Sequence, residues 1–247
     1  MIRSIAISGK GGSGKTTIAA MMVRALIGQS PKAVLAVDAD PNSCLGTLLA
    51  VEPEVVIADV REQAAAKSPT EVITDRARHF EYGIHQAVTE AKGFDLLTMG
   101  RPEGPGCYCA ANNLLRKFLD DLGLAYGFVI IDNEAGMEHL SRRTTNDVDL
   151  LCIVAEATPL GAMTAQRIFN LAGTLPVSIK RTGLIWNKVR TPQRLETIEL
   201  LGSIPYDESL EQVGCEGRTI FDIAEDNEAY TALKQILARK LGIVNKQ

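Results

Sequence analysis

The chain has 247 residues, a net charge of -4 and 46% hydrophobic residues, enough to bury a sizeable core as one large domain or two small ones. The acidic balance argues against a nucleic-acid partner, and no run of about eighteen apolar residues is present to cross a membrane. Five scattered cysteines do not form a secreted disulfide framework, so a reducing cytoplasm is expected.

Arg3 to Ser8 (RSIAIS) is a short β-rich run, followed by Gly9-Lys10-Gly11-Gly12-Ser13-Gly14-Lys15-Thr16-Thr17 and then by the alanine-rich, helix-like Thr16 to Leu26. Strand, glycine loop and helix is the setting of the phosphate loop G-x-x-x-x-G-K-T. Its glycines let backbone N–H groups close around phosphate oxygens. Lys15 can reach the terminal phosphates, and the Thr16 hydroxyl can ligate Mg²⁺. Lys10 is an addition that the ordinary loop does not need.

A second buried-type strand, Ala33 to Val37, ends at Asp38-Ala39-Asp40-Pro41-Asn42. Two carboxylates one residue apart at a strand end can serve one cation and its waters. Asp38 is placed at the metal's hydration shell and Asp40 beside the attacking water. Residues 52–92 are more polar and less periodic, and read as a surface helical insertion with loops. Asp95 to Met99 is the next strand, ending at Gly100.

Gly104-Pro105-Gly106-Cys107-Tyr108-Cys109 precedes a helix-like run, Asn113 to Leu122, with leucines and Phe118 on one face. Thiolates are stabilised near a helix N-terminus. Two sulfurs cannot complete a four-coordinate site alone, and a second copy of the chain is the simplest source of two more. Zn²⁺ would take such a site tetrahedrally, and Ni²⁺ could flatten it. A strained Cys107–Cys109 disulfide and a chemically inert pair are the other options. Cys152 lies mid-strand and reads as a buried small hydrophobe, while Cys44 and Cys215 have no cysteine nearby.

Gly127 to Ile131 is a strand ending at Asp132, the usual form of a second Mg²⁺ acid, and Gly136 follows four residues later. Leu150 to Ala155, Arg181 to Trp186 and Leu201 to Ile204 complete the strands. Near-continuous apolar runs separated by helix-length segments predict a doubly wound, mostly parallel α/β sheet flanked by helices, read here as one domain over 1–247. Ligands then lie at the strands' carboxyl ends. Asn187-Lys188-Val189-Arg190 begins like the guanine motif N-K-x-D but lacks its acid, which favours adenine. Glu228 to Leu241 has helical apolar spacing and reads as a closing helix on the core.

The loop with its extra lysine, the D-x-D-P-N segment and D-x-x-x-G together resemble the deviant phosphate-loop ATPases, which include the cell-division-site ATPase, chromosome-partitioning ATPases and nitrogenase iron protein. The resemblance implies ATP with Mg²⁺ sandwiched between two subunits, with Lys10 acting in trans. It also implies adenine contacts at Asn187 and at Pro205, Tyr206 and Asp207. Asp132-Asn133-Glu134 departs from the Asp-Thr often found in that family. With Gly100-Arg101-Pro102-Glu103 ahead of the cysteine segment and Asn112-Asn113-Leu114-Leu115 after it, the chain closely resembles the carbon monoxide dehydrogenase maturation ATPases. Those are nickel-insertion accessory proteins with a close branch serving acetyl-CoA synthase. This likeness implies ATP-dependent dimerisation and metal delivery to a nickel enzyme, and the acidic balance argues against a role at nucleic acid or membrane. A spatial-organising ATPase without metal chemistry is the alternative.

Overall fold

The computed structural model describes residues 3–66, 82–100, 125–134, 147–175, 177–190, 197–215 and 217–242. Its centre is a sheet of β1 (Ser4–Gly9), β2 (Val34–Ala39), β3 (Val88–Glu90), β4 (Phe94–Thr98), β5 (Phe128–Asn133), β7 (Leu150–Glu156), β9 (Thr182–Val189) and β10 (Glu199–Pro205). The spatial order is β10-β9-β7-β1-β5-β2-β4-β3, and every pairing is parallel except β3 with β4. β6 (Asp147–Val148) and β8 (Ser178–Ile179) form a separate two-stranded pair. The central strands bury both faces, which is why they read as unbroken apolar runs.

Two apolar layers form on either side of the sheet. On one, α1 (Lys15–Leu26) and α6 (Glu228–Leu241) bring Ile18, Met22, Tyr230 and Leu233 against Ile5, Ile7 and Ile130. On the other, α3 (Ile57–Ala66) and α4 (Pro159–Ala172) pack Ile57, Val60, Ala165 and Ile168 against Ala6, Leu35, Val37 and Trp186. Between them in sequence lie the short α2 (Leu45–Leu48) and, after β10, α5 (Glu208–Cys215).

The helix ends carry side chains suited to capping. Thr158 accepts a hydrogen bond from Gly161 N ahead of Pro159, and Asn227 accepts one from Tyr230 N to start α6. Gly242 ends α6 at φ +67. Arg24 ties α1 to the C-terminal segment. It donates to Ile220 O and Ile223 O, both at 2.7 Å, and its guanidinium lies 4.4 Å from the Tyr230 ring centroid.

One expectation needs correction. The 52–92 segment is not only surface: Ile57, Ala58, Val60, Ile84 and Ala87 are buried, and its end supplies edge strand β3. Its polar residues hide a short apolar stripe that closes one face of the sheet. The closing helix forms over the residues expected, with Leu233, Ile236 and Leu237 buried, while Ala238 is only half-buried.

Candidate functional site: a nucleotide cavity at the sheet's carboxyl edge

β1 ends at Gly9, where a Cβ would come within 2.3 Å of Val154 O on β7, so only glycine lets the chain leave the sheet here. Gly12 and Gly14 take φ of +79 and +88, conformations open to glycine. At Gly14 a Cβ would also meet Asn187 Nδ2 at 2.3 Å. The loop closes on itself through Ser13 N donating to Lys10 O at 3.2 Å. α1 then starts with no side-chain cap and no acidic residue in its first turn. Its leading N–H groups and positive dipole end are therefore left for an anion. Lys15 is only 7% exposed, and among the described residues its Nζ makes just a long 3.4 Å bond to Lys10 O. Such a buried, weakly held ammonium suits phosphate.

The loop forms one wall of a cavity of about 810 Å³. Gly11, Gly12, Gly14, Lys15, Thr16 and Thr17 line its phosphate end. Asp40, Asn42, Cys44, Thr47 and Leu48 come from the β2 side, and Glu134 from the end of β5. Asn187, Lys188, Pro205, Tyr206, Asp207, Leu210 and Glu211 form the far end. The volume falls within the usual range for small-molecule sites.

Asp38 and Asp132 lie side by side at the ends of β2 and β5, in register and fully buried. Asp38 accepts hydrogen bonds from Leu45 N (2.9 Å) and Asp40 N (3.2 Å). Burial pushes its pKa up to about 6, against the pull of those bonds. Neither oxygen of Asp132 has a hydrogen-bond partner among the described residues. Burial pushes it up to about 7; the Thr16 hydroxyl and Lys15 lower it, and Asp38 and Asp40 raise it further. A fully buried carboxylate without a donor, near the Thr16 hydroxyl, is the donor chemistry that a hydrated Mg²⁺ would satisfy. Asp40 lines the cavity itself, held by Asn42 N and Nδ2, both at 2.9 Å to its Oδ1.

At the far end, Asn187 Nδ2 donates to Ser13 O at 2.8 Å, so this side chain braces the phosphate loop as well as lining the cavity. Asp207 Oδ1 accepts from Ser209 N and Leu210 N and Oδ2 from Asn227 Nδ2, which occupies both carboxylate oxygens with its own loop. Tyr206 donates to Glu211 at 3.0 Å beneath the Arg190 guanidinium, 5.1 Å from the ring centroid. Lys188 sits at φ +55 on the rim, 3.6 Å from Glu211 and 4.0 Å from Glu156.

The structure thus brings together Gly11, Gly12, Gly14, Lys15, Thr16, Thr17, Asp40, Asn187, Pro205, Tyr206 and Asp207 around one cavity. Asp38, Asp132 and Ser13 lie behind its walls, and Lys10 has an exposed side chain outside them. Cys107, Cys109 and Gly136 lie outside the described residues. Among the described residues, no three His, Cys, Asp or Glu side chains are grouped to hold a metal. Cys152 is buried, its thiol pushed up to about 12 by burial alone. Sequence reasoning missed Cys44, Thr47, Leu48 and Glu211, whose places depend on how α2 and α5 pack rather than on any motif.

Residues 4–220 match the CobQ/CobB/MinD/ParA nucleotide binding domain family. An ATP-binding protein of Methanocaldococcus jannaschii is 39% identical over 98% of this chain and 99% of its own. The carbon monoxide dehydrogenase accessory protein CooC of Rhodospirillum rubrum is 33% identical over 95% of this chain and 96% of its own. Among solved structures, the cell division ATPase MinD of Pyrococcus furiosus superposes with a TM-score of 0.70 at 20% identity, covering 99% of this chain and 100% of that one. The chain belongs to the CobQ/CobB/MinD/ParA family and is an ATP-binding ATPase of the phosphate-loop class.

Proposed function

We propose that this ATPase is an accessory factor that inserts nickel into carbon monoxide dehydrogenase. The observation that carries the reading is the likeness to CooC along nearly the whole chain, taken with the Gly104–Cys109 cysteine segment in the same sequence. The buried acids, phosphate loop and cavity supply the energy-coupling half of such a protein. The cysteine pair supplies the cargo half.

In this reading the triphosphate lies on Gly11, Gly12, Ser13, Gly14, Lys15, Thr16 and Thr17. The Thr16 hydroxyl would ligate Mg²⁺ and the Asp132 carboxylate would hold its hydration shell; Asp38, expected there too, accepts from Leu45 N and Asp40 N and keeps the Asp40 turn in place beside them. When bound, Mg²⁺ neutralises charge between phosphate oxygens. Asp40 orients the attacking water, and Lys10 of a second copy approaches the phosphates, so ATP favours a dimer. Adenine takes the end formed by Asn187 and Pro205 to Asp207; with both Asp207 oxygens engaged, the backbone of that loop is the free contact. Cys107 and Cys109 of two chains bind one Ni²⁺ or Zn²⁺ ion between them, as cargo.

Metal analysis of the protein separated by gel filtration, with and without ATP, tests this. One divalent ion per two chains is expected, with Cys109→Ala losing both the ion and metal-induced dimerisation. A mutant that still dimerises on metal sinks the shared site. Activation of acetyl-CoA synthase in place of the dehydrogenase would move the client and leave the site intact. The fold likeness to MinD favours one other reading, a spatial-organising ATPase without cargo. ATP-dependent co-sedimentation with liposomes, in the absence of bound metal, would select it.

A further inference from the structure

We propose that Asn133 is a positioning residue for the ATPase reaction, setting the Asp132 carboxylate against the root of the phosphate loop. Three observations carry this. First, its buried Nδ2 donates to Ile7 O across the sheet at 2.9 Å. Ile7 lies two residues before Gly9, where β1 turns into the loop, and is the register partner of Asp132. Beyond that pair β5 continues only beside β2, through Asn133 with Ala39. The Asn133 side chain therefore adds a tie between β5 and β1 at the point where their pairing ends.

Second, the amide's other polar atom, the acceptor Oδ1, is buried with no partner among the described residues. An amide buried with one half unpartnered among the described residues is a costly choice where only a strand end is needed. Third, the loop's crest is held in the same way, by Asn187 Nδ2 on Ser13 O. Two carboxamides from two strands thus fix the loop at root and crest, and the root tie comes from the residue beside the acid. A group that orients a metal-facing carboxylate acts on the cation, not on the nucleotide alone.

The inference rests on the Mg²⁺ reading above. The test is titration of a fluorescent, hydrolysis-resistant ATP analogue into wild type, Asn133→Ala and Asn133→Thr, each with Mg²⁺ and with EDTA, alongside thermal melts. Affinity in EDTA is expected to stay within about twofold of wild type. The tightening by Mg²⁺ is expected to fall about tenfold in both variants, the size seen for lost outer-shell partners. The Thr variant carries the comparison should the Ala variant not fold. Equal Mg²⁺ tightening in variant and wild type, or equal losses with Mg²⁺ and with EDTA, overturns this role alone. A wild type indifferent to Mg²⁺ overturns the cation reading and this role with it.

Discussion

The ends of β2 and β5 carry the same residue in the same register, yet they are opposite in kind. Asp38 is held by two backbone N–H donors and fixes the turn that carries Asp40. Asp132 is as deeply buried and has no hydrogen bond among the described residues. Water would have solvated either side chain in the unfolded chain, so folding strips both and compensates Asp38 more fully than Asp132. A buried acid with its donors in place is part of the scaffold. A buried acid without them is a place where a ligand's charge is worth most.

Exchange of the carboxylate for its amide breaks this comparison most sharply. Asp132→Asn is expected to lower ATP hydrolysis about a hundredfold, the upper end for loss of a group near a metal. In the absence of nucleotide it should not destabilise the protein, because it removes a desolvated charge that Thr16 and Lys15 offset only in part. Steady-state hydrolysis and a thermal melt at pH 8 read both halves. A variant that is inactive and also melts far below wild type would show that Asp132 is scaffold too.

Asp38→Asn should behave the other way. An amide NH₂ must face either Leu45 N–H or Asp40 N–H, leaving donors in opposition and an unsatisfied buried group. We expect it to be less stable than Asp132→Asn by about 2 kcal/mol in urea unfolding at the same pH. Equal stabilities would erase the distinction between the two strand ends.

Much of this arrangement was legible in the residues. Apolar strands running into Asp38 and Asp132, and the spacing of Gly9 to Thr17, place the site because parallel strands bury both faces and expose only their ends. Asn187 was read as an adenine contact, and its hydrogen bond to Ser13 O could not be foreseen, since it joins residues 174 positions apart. The difference between Asp38 and Asp132 was hidden for the same reason. Both end apolar strands, and the turn at Asp40 together with the start of α2, arriving over one of them, makes them unlike. The buried stripe Ile57 to Val60 escaped notice because charged neighbours dilute its periodicity.

pH sharpens the comparison further. Folded pKa values of about 6 for Asp38 and about 7 for Asp132 exceed the ordinary 3.8, so the native state binds more protons than the unfolded chain between these limits. Stability from these two groups therefore rises as pH falls through 7 and 6, and is lost as pH climbs back. Nucleotide-free protein should gain about 2 kcal/mol between pH 8 and pH 6, most of it from Asp132. Melts across that range should show the gain shrink in Asp132→Asn more than in Asp38→Asn. With Mg²⁺ and nucleotide present the slope should flatten, because a cation favours the ionised carboxylate.

A third acid gives the smallest effect and the cleanest control. Asp149, at the opposite edge of the sheet from the cavity, accepts from Arg3 N at 2.7 Å, Ser4 N at 3.1 Å and Lys180 Nζ at 2.7 Å. Burial alone would raise its pKa, but those donors override it and bring it down to about 2. Its sign is therefore reversed. The stability it contributes is present above pH 4 and is lost as pH falls towards 2. Asp149→Asn keeps the shape and one acceptor, and Lys180 is largely exposed, so the loss should be about 1 kcal/mol at pH 7. Hydrolysis should be unchanged, and the difference from wild type should vanish in melts near pH 2. If this variant lost activity as Asp132→Asn does, the effect of buried charge on hydrolysis would be general to the fold, and the special standing of the β5 end would be gone.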